Sequence, residues 1–168
     1  DGDFFEVDEE DFHAAFQGLT ISIALLARAV LPSMKERRWG RFVNLGSGSA
    51  KEPPRELRHI LGNTARASGV TLCKSLANEF GPFGVTVNSI GTGLFRTGFM
   101  EEFFDRAASE QGIDREKAID AWCEGVPMRR PGRAEEMAAL CAFLCSEWGG
   151  YLTGQMITCD GGFGRSAW

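Results

Sequence analysis

The sequence predicts an α/β protein whose strands run parallel and are covered by helices on both faces. Three observations predict it. Short, β-compatible runs stand at Arg41 to Leu45, Val85 to Ile90 and Gln155 to Cys159. Long helix-like segments, not tight turns, join one run to the next, and only a crossover of that kind can join parallel neighbours. Gly-rich clusters close each run, at Gly46-Ser47-Gly48-Ser49, Gly91-Thr92-Gly93 and Asp160-Gly161-Gly162.

The elements follow in order. Asp8 to Arg37 reads as one long helix, with Phe12, Ala15, Phe16, Leu19, Ile23, Leu26, Val30 and Leu31 on one stripe. Its acidic opening, from Asp3 through Glu6 to Asp11, suits the positive end of the helix dipole. Pro32 lies inside the run and predicts a kink or break near Leu31. Arg41 to Leu45 is a buried strand that delivers Ser47 to a cleft. Lys51 to Arg55 contains Pro53-Pro54 and is a loop or a helix start. Helix resumes from Leu57 to Phe80, with Leu61, Ala65, Val70, Leu72, Leu76 and Ala77 inward, and ends at Gly81-Pro82. Val85 to Ile90 is the second buried strand, and Gly91-Thr92-Gly93 opens a loop. Phe99 to Cys123 is helix-prone but uneven, with Phe99, Met100, Phe103, Phe104 and Trp122 among many charges. Arg133 to Ser146 is a further amphipathic helix entered through Pro131-Gly132, and Gln155 to Cys159 is the last strand.

Composition narrows the function classes. The 168 residues are 43% apolar and 24% charged, which suits one globular domain. A net charge of −5 gives no electrostatic case for nucleic acid. The longest apolar run, about Ile21 to Leu26, is too short to span a bilayer, and no charged-then-apolar leader is present. Five cysteines, an odd number, fit reduced cytoplasmic thiols better than a disulfide framework. Cys141 and Cys145 share a helix face, but no further Cys or His pair completes a metal site, so they read as core.

Several landmarks recur in a telling order: Arg28-Ala29-Val30-Leu31-Pro32, Gly40-Arg41-Phe42-Val43-Asn44, Lys74-Ser75-Leu76-Ala77-Asn78-Glu79, Gly84-Val85-Thr86-Val87-Asn88, and Leu152-Thr153-Gly154-Gln155 with Asp160-Gly161-Gly162. From Glu9 to Gly162 the chain resembles the classical short-chain dehydrogenase/reductases, most closely the 3-oxoacyl-acyl-carrier-protein reductase-like members. The resemblance implies a doubly wound parallel sheet of Rossmann-like type, of which residues 1–168 form the C-terminal portion of a single domain, with a lid at about residues 98–125. It also implies NAD or NADP as cofactor, a small carbonyl or alcohol substrate, and a homo-oligomer, dimer or tetramer. The closing Phe163 to Trp168 ends in an aromatic suited to docking against a neighbour.

Two departures from the family pattern stand out. The Gly-rich turn that cradles the cofactor pyrophosphate is not found in this sequence. A half-sheet of this kind would expose a strand edge and an apolar helix face. The expectation is therefore that the N-terminal half is omitted or cleaved, or is supplied by another chain. The second departure lies in the catalytic set. Ser47 matches the family serine, whereas a gapless reading puts Leu19 at the asparagine, Gly62 at the tyrosine and Arg66 at the lysine of Tyr-x-x-x-Lys. The sole tyrosine, Tyr151, falls far away.

The residues left for chemistry are Ser47, His59, Asn63 and Arg66. His59, Gly62, Asn63 and Arg66 are spaced i, i+3, i+4 and i+7, which puts them on one helix face. Arg66 keeps a fork able to hold ribose hydroxyls, and His59, or a water beside Gly62, stands in for the phenol. The bland alternatives are a surface histidine at a helix start and an asparagine bonded to local backbone. For the cofactor, the resemblance points to Arg66, Thr92, Gly93, Phe95 and Thr97: backbone groups near Phe95 on the nicotinamide carboxamide, and Thr97 toward the phosphates. Gly93 would permit close backbone approach. The aromatics after Phe99 suit a bulky or acyl-chain substrate, or the packing of the lid itself. The leading expectation is an NAD(P)-dependent oxidoreductase; a non-redox lyase, isomerase or dehydratase and a silent assembly partner are the rivals.

Overall fold

Strands β1 (Gly40–Ser47), β2 (Val85–Thr92) and β3 (Met156–Cys159) form one parallel sheet in the order β1-β2-β3. The computed structural model describes residues 4–55 and 59–166. Asp3, Leu57, Trp168 and the side chain of Phe99, all named above, lie outside the described residues. The register sets Phe42 opposite Val87, Ser47 opposite Thr92 and Ile90 opposite Ile157. β2 is the central strand and is buried from Val85 through Gly91. It runs beyond the predicted end, so Gly91 and Thr92 prolong the strand and the loop opens only at Gly93. β1 departs from expectation: Phe42 is buried, but Leu45 is 61% exposed. One edge of β1 has no strand partner among the described residues, which leaves its outer portion half covered.

Helix runs without a break from Glu9 to Glu36 as α1 (Glu9–Phe16), a π-helical turn (Gln17–Ile21) and α2 (Ser22–Glu36). Asp8 caps it through a box in which Asp8 and Asp11 bond each other's backbone N–H. The break expected at Pro32 does not occur. Pro32 and Arg28 are both exposed, so the Arg28 carbonyl that loses its donor faces water. The irregularity lies earlier, in the π turn, where Ser22 N–H reaches the Gln17 carbonyl. One inserted residue rotates everything after it by about 100°. Leu31 keeps to the expected stripe with Ile23 and Val30 packed beside it, and Ala27 joins it, Ala27 and Leu31 each being 2% exposed, while Leu26, expected on the stripe, is 55% exposed. By length and composition this 28-residue helix is apolar enough to cross a membrane, so the Ile21 to Leu26 run belongs to a longer apolar element than its own length suggests.

α3 (Ile60–Phe80) lies beside α2, and together they cover one sheet face. Ala27 and Leu31 of α2 and Cys73 and Ala77 of α3 meet Phe42, Val85 and Val87 there. Burying a leucine such as Leu31 contributes about 1.5–3 kcal/mol. A tight turn returns the chain from α3 to β2; Gly84, at φ +72°, sits where a Cβ would lie 2.5 Å from the Arg38 carbonyl oxygen.

The uneven segment resolves into α4 (Gly98–Gln111) and α5 (Arg115–Trp122), split at Gly112, whose φ is +61°, with Asp114 capping α5. These helices pack mainly on each other. Phe104 is fully buried with Ile119, Cys123 and Val126, and Phe103 meets Trp122 edge-on at 4.8 Å. The aromatics thus form the segment's own small core. α6 (Ala134–Cys145) packs on β1. Its Cys145 is exposed and Cys141 half-buried, which corrects their reading as core.

Candidate active site

Strand β1 ends at Ser47, and the chain turns through one 3-10 turn, Gly48–Ala50, against which the start of α3 packs. The π turn packs on α3 from its other neighbour. The turn after Ser47 and the π turn that holds Leu19 and Thr20 thus both pack on α3, the latter at Ala65, Ser68 and Gly69. Tyr151 is elsewhere. It is fully exposed and follows a turn whose Ser146 carbonyl and Glu147 carboxylate bind Arg41 and Trp39, at the opening end of β1 and opposite to Ser47.

The Ser47 oxygen accepts two hydrogen bonds, from Ser49 N–H at 3.3 Å and from the Ser49 hydroxyl at 3.0 Å. Its own hydrogen is left to donate outward. Ser49 was not singled out in the sequence, although Ser-x-Ser after a strand is a known local hydrogen-bonding pattern. His59 occupies the N-cap position of α3 without capping it by its side chain, and its carbonyl takes the first helical N–H, from Asn63, at 2.8 Å. Partial burial, then the Arg66 guanidinium, holds its imidazole below the ordinary histidine value. It is half-buried and stands at the helix start, where the alternative reading puts a surface histidine. Gly62 is buried. The Asn63 side-chain oxygen is buried too and accepts no hydrogen bond among the described residues. Asn63 is therefore not the local backbone partner that its place in the first helical turn suggested. Arg66 is half-buried and forms no hydrogen bond or ion pair among the described residues.

The second loop carries Thr92, Gly93, Phe95 and Thr97. Phe95 forms a parallel bridge with Gly132, in which Gly132 N–H meets the Leu94 carbonyl and Arg96 N–H meets the Gly132 carbonyl, each at 2.9 Å. In that geometry the backbone N–H and C=O of Phe95 itself point to the other side. Thr97 stands at the N-cap of α4 with an exposed side chain that makes no capping bond. Thr92 and Gly93 make contacts within the sheet and its closing turn. The Thr92 hydroxyl donates to the Gly46 carbonyl at 2.9 Å, bracing β1 to β2. A Cβ on Gly93 would lie 2.6 Å from Asp160 Cα, so the close approach that demands glycine is to the Asp160 turn. Among the described residues no group of three or more His, Cys, Asp and Glu gathers to hold a metal ion.

A family model described as enoyl-(acyl carrier protein) reductase matches residues 1–164. The chain belongs to the short-chain dehydrogenase/reductase family. Among its relatives, the NADPH-dependent reductase BacG of Bacillus subtilis is 32% identical over 157 residues, 94% of this chain and 60% of that protein. The 3-oxoacyl-[acyl-carrier-protein] reductase FabG of Haemophilus influenzae is 35% identical over 161 residues, 92% of this chain and 58% of that protein. An NADPH-bound short-chain oxidoreductase from Pseudomonas aeruginosa, described as containing an atypical catalytic center, superposes with a TM-score of 0.84 at 29% identity, covering 98% of this chain and 61% of that one. The chain thus spans about 60% of the length of the short-chain dehydrogenase/reductases that it matches.

Proposed function

We propose that this chain forms the C-terminal part of an NAD(P)-dependent oxidoreductase that interconverts a carbonyl and an alcohol, with the usual phenol and lysine replaced by Gly62 and Arg66. The observation that carries this reading is a set of unspent polar groups on the first turns of α3 and in the loop after β2. Among the described residues the Asn63 oxygen is buried without a donor, Arg66 has an idle fork, and the outward edge of Phe95 is unpaired by Gly132. An acceptor, a cation and a backbone edge fit the ribose and carboxamide of a nicotinamide nucleotide. Arg66 and Asn63 would hold the ribose hydroxyls, Phe95 the carboxamide, and Thr97 a phosphate oxygen at the start of α4. Thr92 and Gly93 contribute by fixing that loop.

When bound, the cofactor supplies or accepts a hydride at the carbonyl carbon. The chain's own residues do the rest. Ser47, with its oxygen satisfied by Ser49, donates its hydrogen to the substrate oxygen and fixes the carbonyl. Arg66, permanently charged, stabilises negative charge developing on that oxygen. His59, biased toward the neutral imidazole, both accepts and donates, so it relays a proton from water instead of acting as a standing acid. α4 and α5 form the lid over residues 98–125. Since Phe103 and Phe104 are spent on the lid's own core, they stabilise it instead of lining a long acyl tunnel.

The half-covered β1 edge and the exposed Leu25 and Leu26 support completion by an N-terminal half of the fold and assembly with further copies. The free cysteines suit the cytoplasm. A non-redox lyase or isomerase is the second reading, favoured by the lack of a tyrosine at this end of the sheet. Absorbance at 340 nm with full-length protein, NADPH and a panel of ketones and enones separates the two. Substrate-dependent loss of absorbance that falls at least about tenfold in Ser47→Ala supports the oxidoreductase. Tight cofactor binding with no turnover on any substrate rejects it.

A further inference from the structure

We propose that Glu52 is a positioning residue: it latches the segment after β3 to the turn that follows Ser47, and that segment in turn ties the turn to the foot of the lid. This role rests on the reading of Ser47 as the group that fixes the substrate carbonyl.

No helix or strand orders residues 161–166 among the described residues; side-chain carboxylates order them instead. Asp160 takes one pair of backbone N–H groups, Gly162 on Oδ1 and Gly164 on Oδ2, each at 2.9 Å. Glu52 takes the next pair on a single oxygen, Oε2, from Arg165 at 2.8 Å and from Ser166 at 3.0 Å. A Cβ on Gly164 would lie 3.1 Å from the Asp160 oxygen and 3.6 Å from that of Glu52, so both carboxylates close on the same residue. Four N–H donors offset the repulsion between the two charges. The Ser166 and then the Arg165 N–H hold the Glu52 carboxyl below the usual carboxylate value.

Glu52 is placed to reach across the chain. Its own N–H and that of Lys51 both end on the Gly48 carbonyl, at 3.1 and 3.0 Å. Its backbone is thereby anchored to the turn whose Ser49 holds the Ser47 oxygen. Pro53 and Pro54 follow and carry no N–H, so the carboxylate finds no donor in the two residues after it. Its partners stand 113 and 114 residues away. The segment that they belong to also meets the end of the lid. The Phe163 ring lies 3.4 Å from where a Cβ on Gly125 would stand, just beyond α5, and Met128 N–H donates to the Gly161 carbonyl at 3.2 Å. Gly161 and Gly162, at φ +66° and +86°, turn the chain from β3 into these contacts. Glu52 therefore couples the turn that aims Ser47 to the foot of α4 and α5.

Hydrogen exchange of full-length protein, read by mass spectrometry, tests the latch without any turnover. In Glu52→Ala, exchange should quicken about tenfold in residues 163–166, and also in 47–52 and 124–128, with β2 unchanged. Glu52→Gln keeps an acceptor oxygen and should stay within about threefold of the parent. Phe163→Ala should loosen residues 124–128 while Arg165 and Ser166 stay protected. In ketone reduction, Glu52→Ala should lower kcat/KM about tenfold in the parent and have no further effect in Ser47→Ala, because it acts through that serine. Faster exchange confined to 163–166, equal loosening of β2, a Gln variant as loose as the Ala one, or no response of 124–128 to Phe163→Ala would overturn the proposal. So would an undiminished effect of Glu52→Ala in the Ser47→Ala background. A parent protein with no turnover would reject the oxidoreductase reading alone, and the exchange pattern would still decide whether Glu52 joins the turn to the lid.

Discussion

Thr20, inside the π turn, lies 2.6 Å from Ser68 on α3, hydroxyl to hydroxyl, and both oxygens lie within 2.9 Å of the Ala65 carbonyl. Two hydroxyl hydrogens serve these three contacts, so one hydroxyl donates to the other and the second to the carbonyl. The triangle fixes the π turn against the helix that carries Asn63 and Arg66. Thr20→Val keeps the shape and deletes the hydroxyl. It is expected to cost about 1–2 kcal/mol in urea unfolding, with Ser68→Ala costing a similar amount and the double variant less than the sum.

The shift of helical phase caused by the π turn has its own signature. Leu31→Ala opens a cavity in the α2–α3 core and should destabilise by about 2–5 kcal/mol. Leu26→Ala, on the same helix but exposed, should stay within about 1 kcal/mol in the isolated chain. Equal penalties in equilibrium unfolding would mean that the uninterrupted stripe read from the sequence is the one the protein uses.

Much of this was legible in the sequence, and the failures have identifiable causes. Strand positions and the crossover pattern follow from run lengths and spacing. The π turn does not, because nothing in Gln17–Ile21 encodes it locally; it is held by contacts with Ala65 and Ser68, far along the chain. The same gap misplaced Leu26. Gly93 is a point of close approach, but the group that approaches it is the Asp160 turn, whereas the resemblance pointed to the cofactor. The pairing of Ser49 with Ser47 was readable in outline and overlooked. The split between α4 and α5 was equally open to view, since Gly112 followed by Asp114 is a C-cap and N-cap pair.

His59 supplies a pH prediction. Its ordinary value of 6.5 is lowered, first by burial and then by Arg66, so folding favours the neutral ring. The associated stability is complete above the usual value and is lost as pH falls through it toward the lowered one. An NMR titration should find the His59 midpoint below 6.5. Arg66→Gln should raise it only part of the way, since burial is the larger cause. In His59→Gln the acid loss of stability should be smaller than in the parent.

Gly93 tests the brace beneath the loop. Gly93→Ala drives a methyl to 2.6 Å from Asp160 Cα and Cβ, so backbone must shift. The expected cost is about 1–3 kcal/mol in thermal or urea unfolding, together with weaker cofactor binding by the full-length protein through displacement of Phe95. An unchanged stability would mean that the Asp160 turn yields freely.

The central claim is that Arg66 holds the nicotinamide ribose in a cleft shared with Ser47. Titration of NADPH into full-length protein and into its Arg66→Gln variant addresses it most directly. A charged donor lost from a ribose contact predicts binding weakened by about tenfold or more, with the folded structure retained by circular dichroism. Equal affinity in the two proteins would contradict the account and remove Arg66 from the cofactor site.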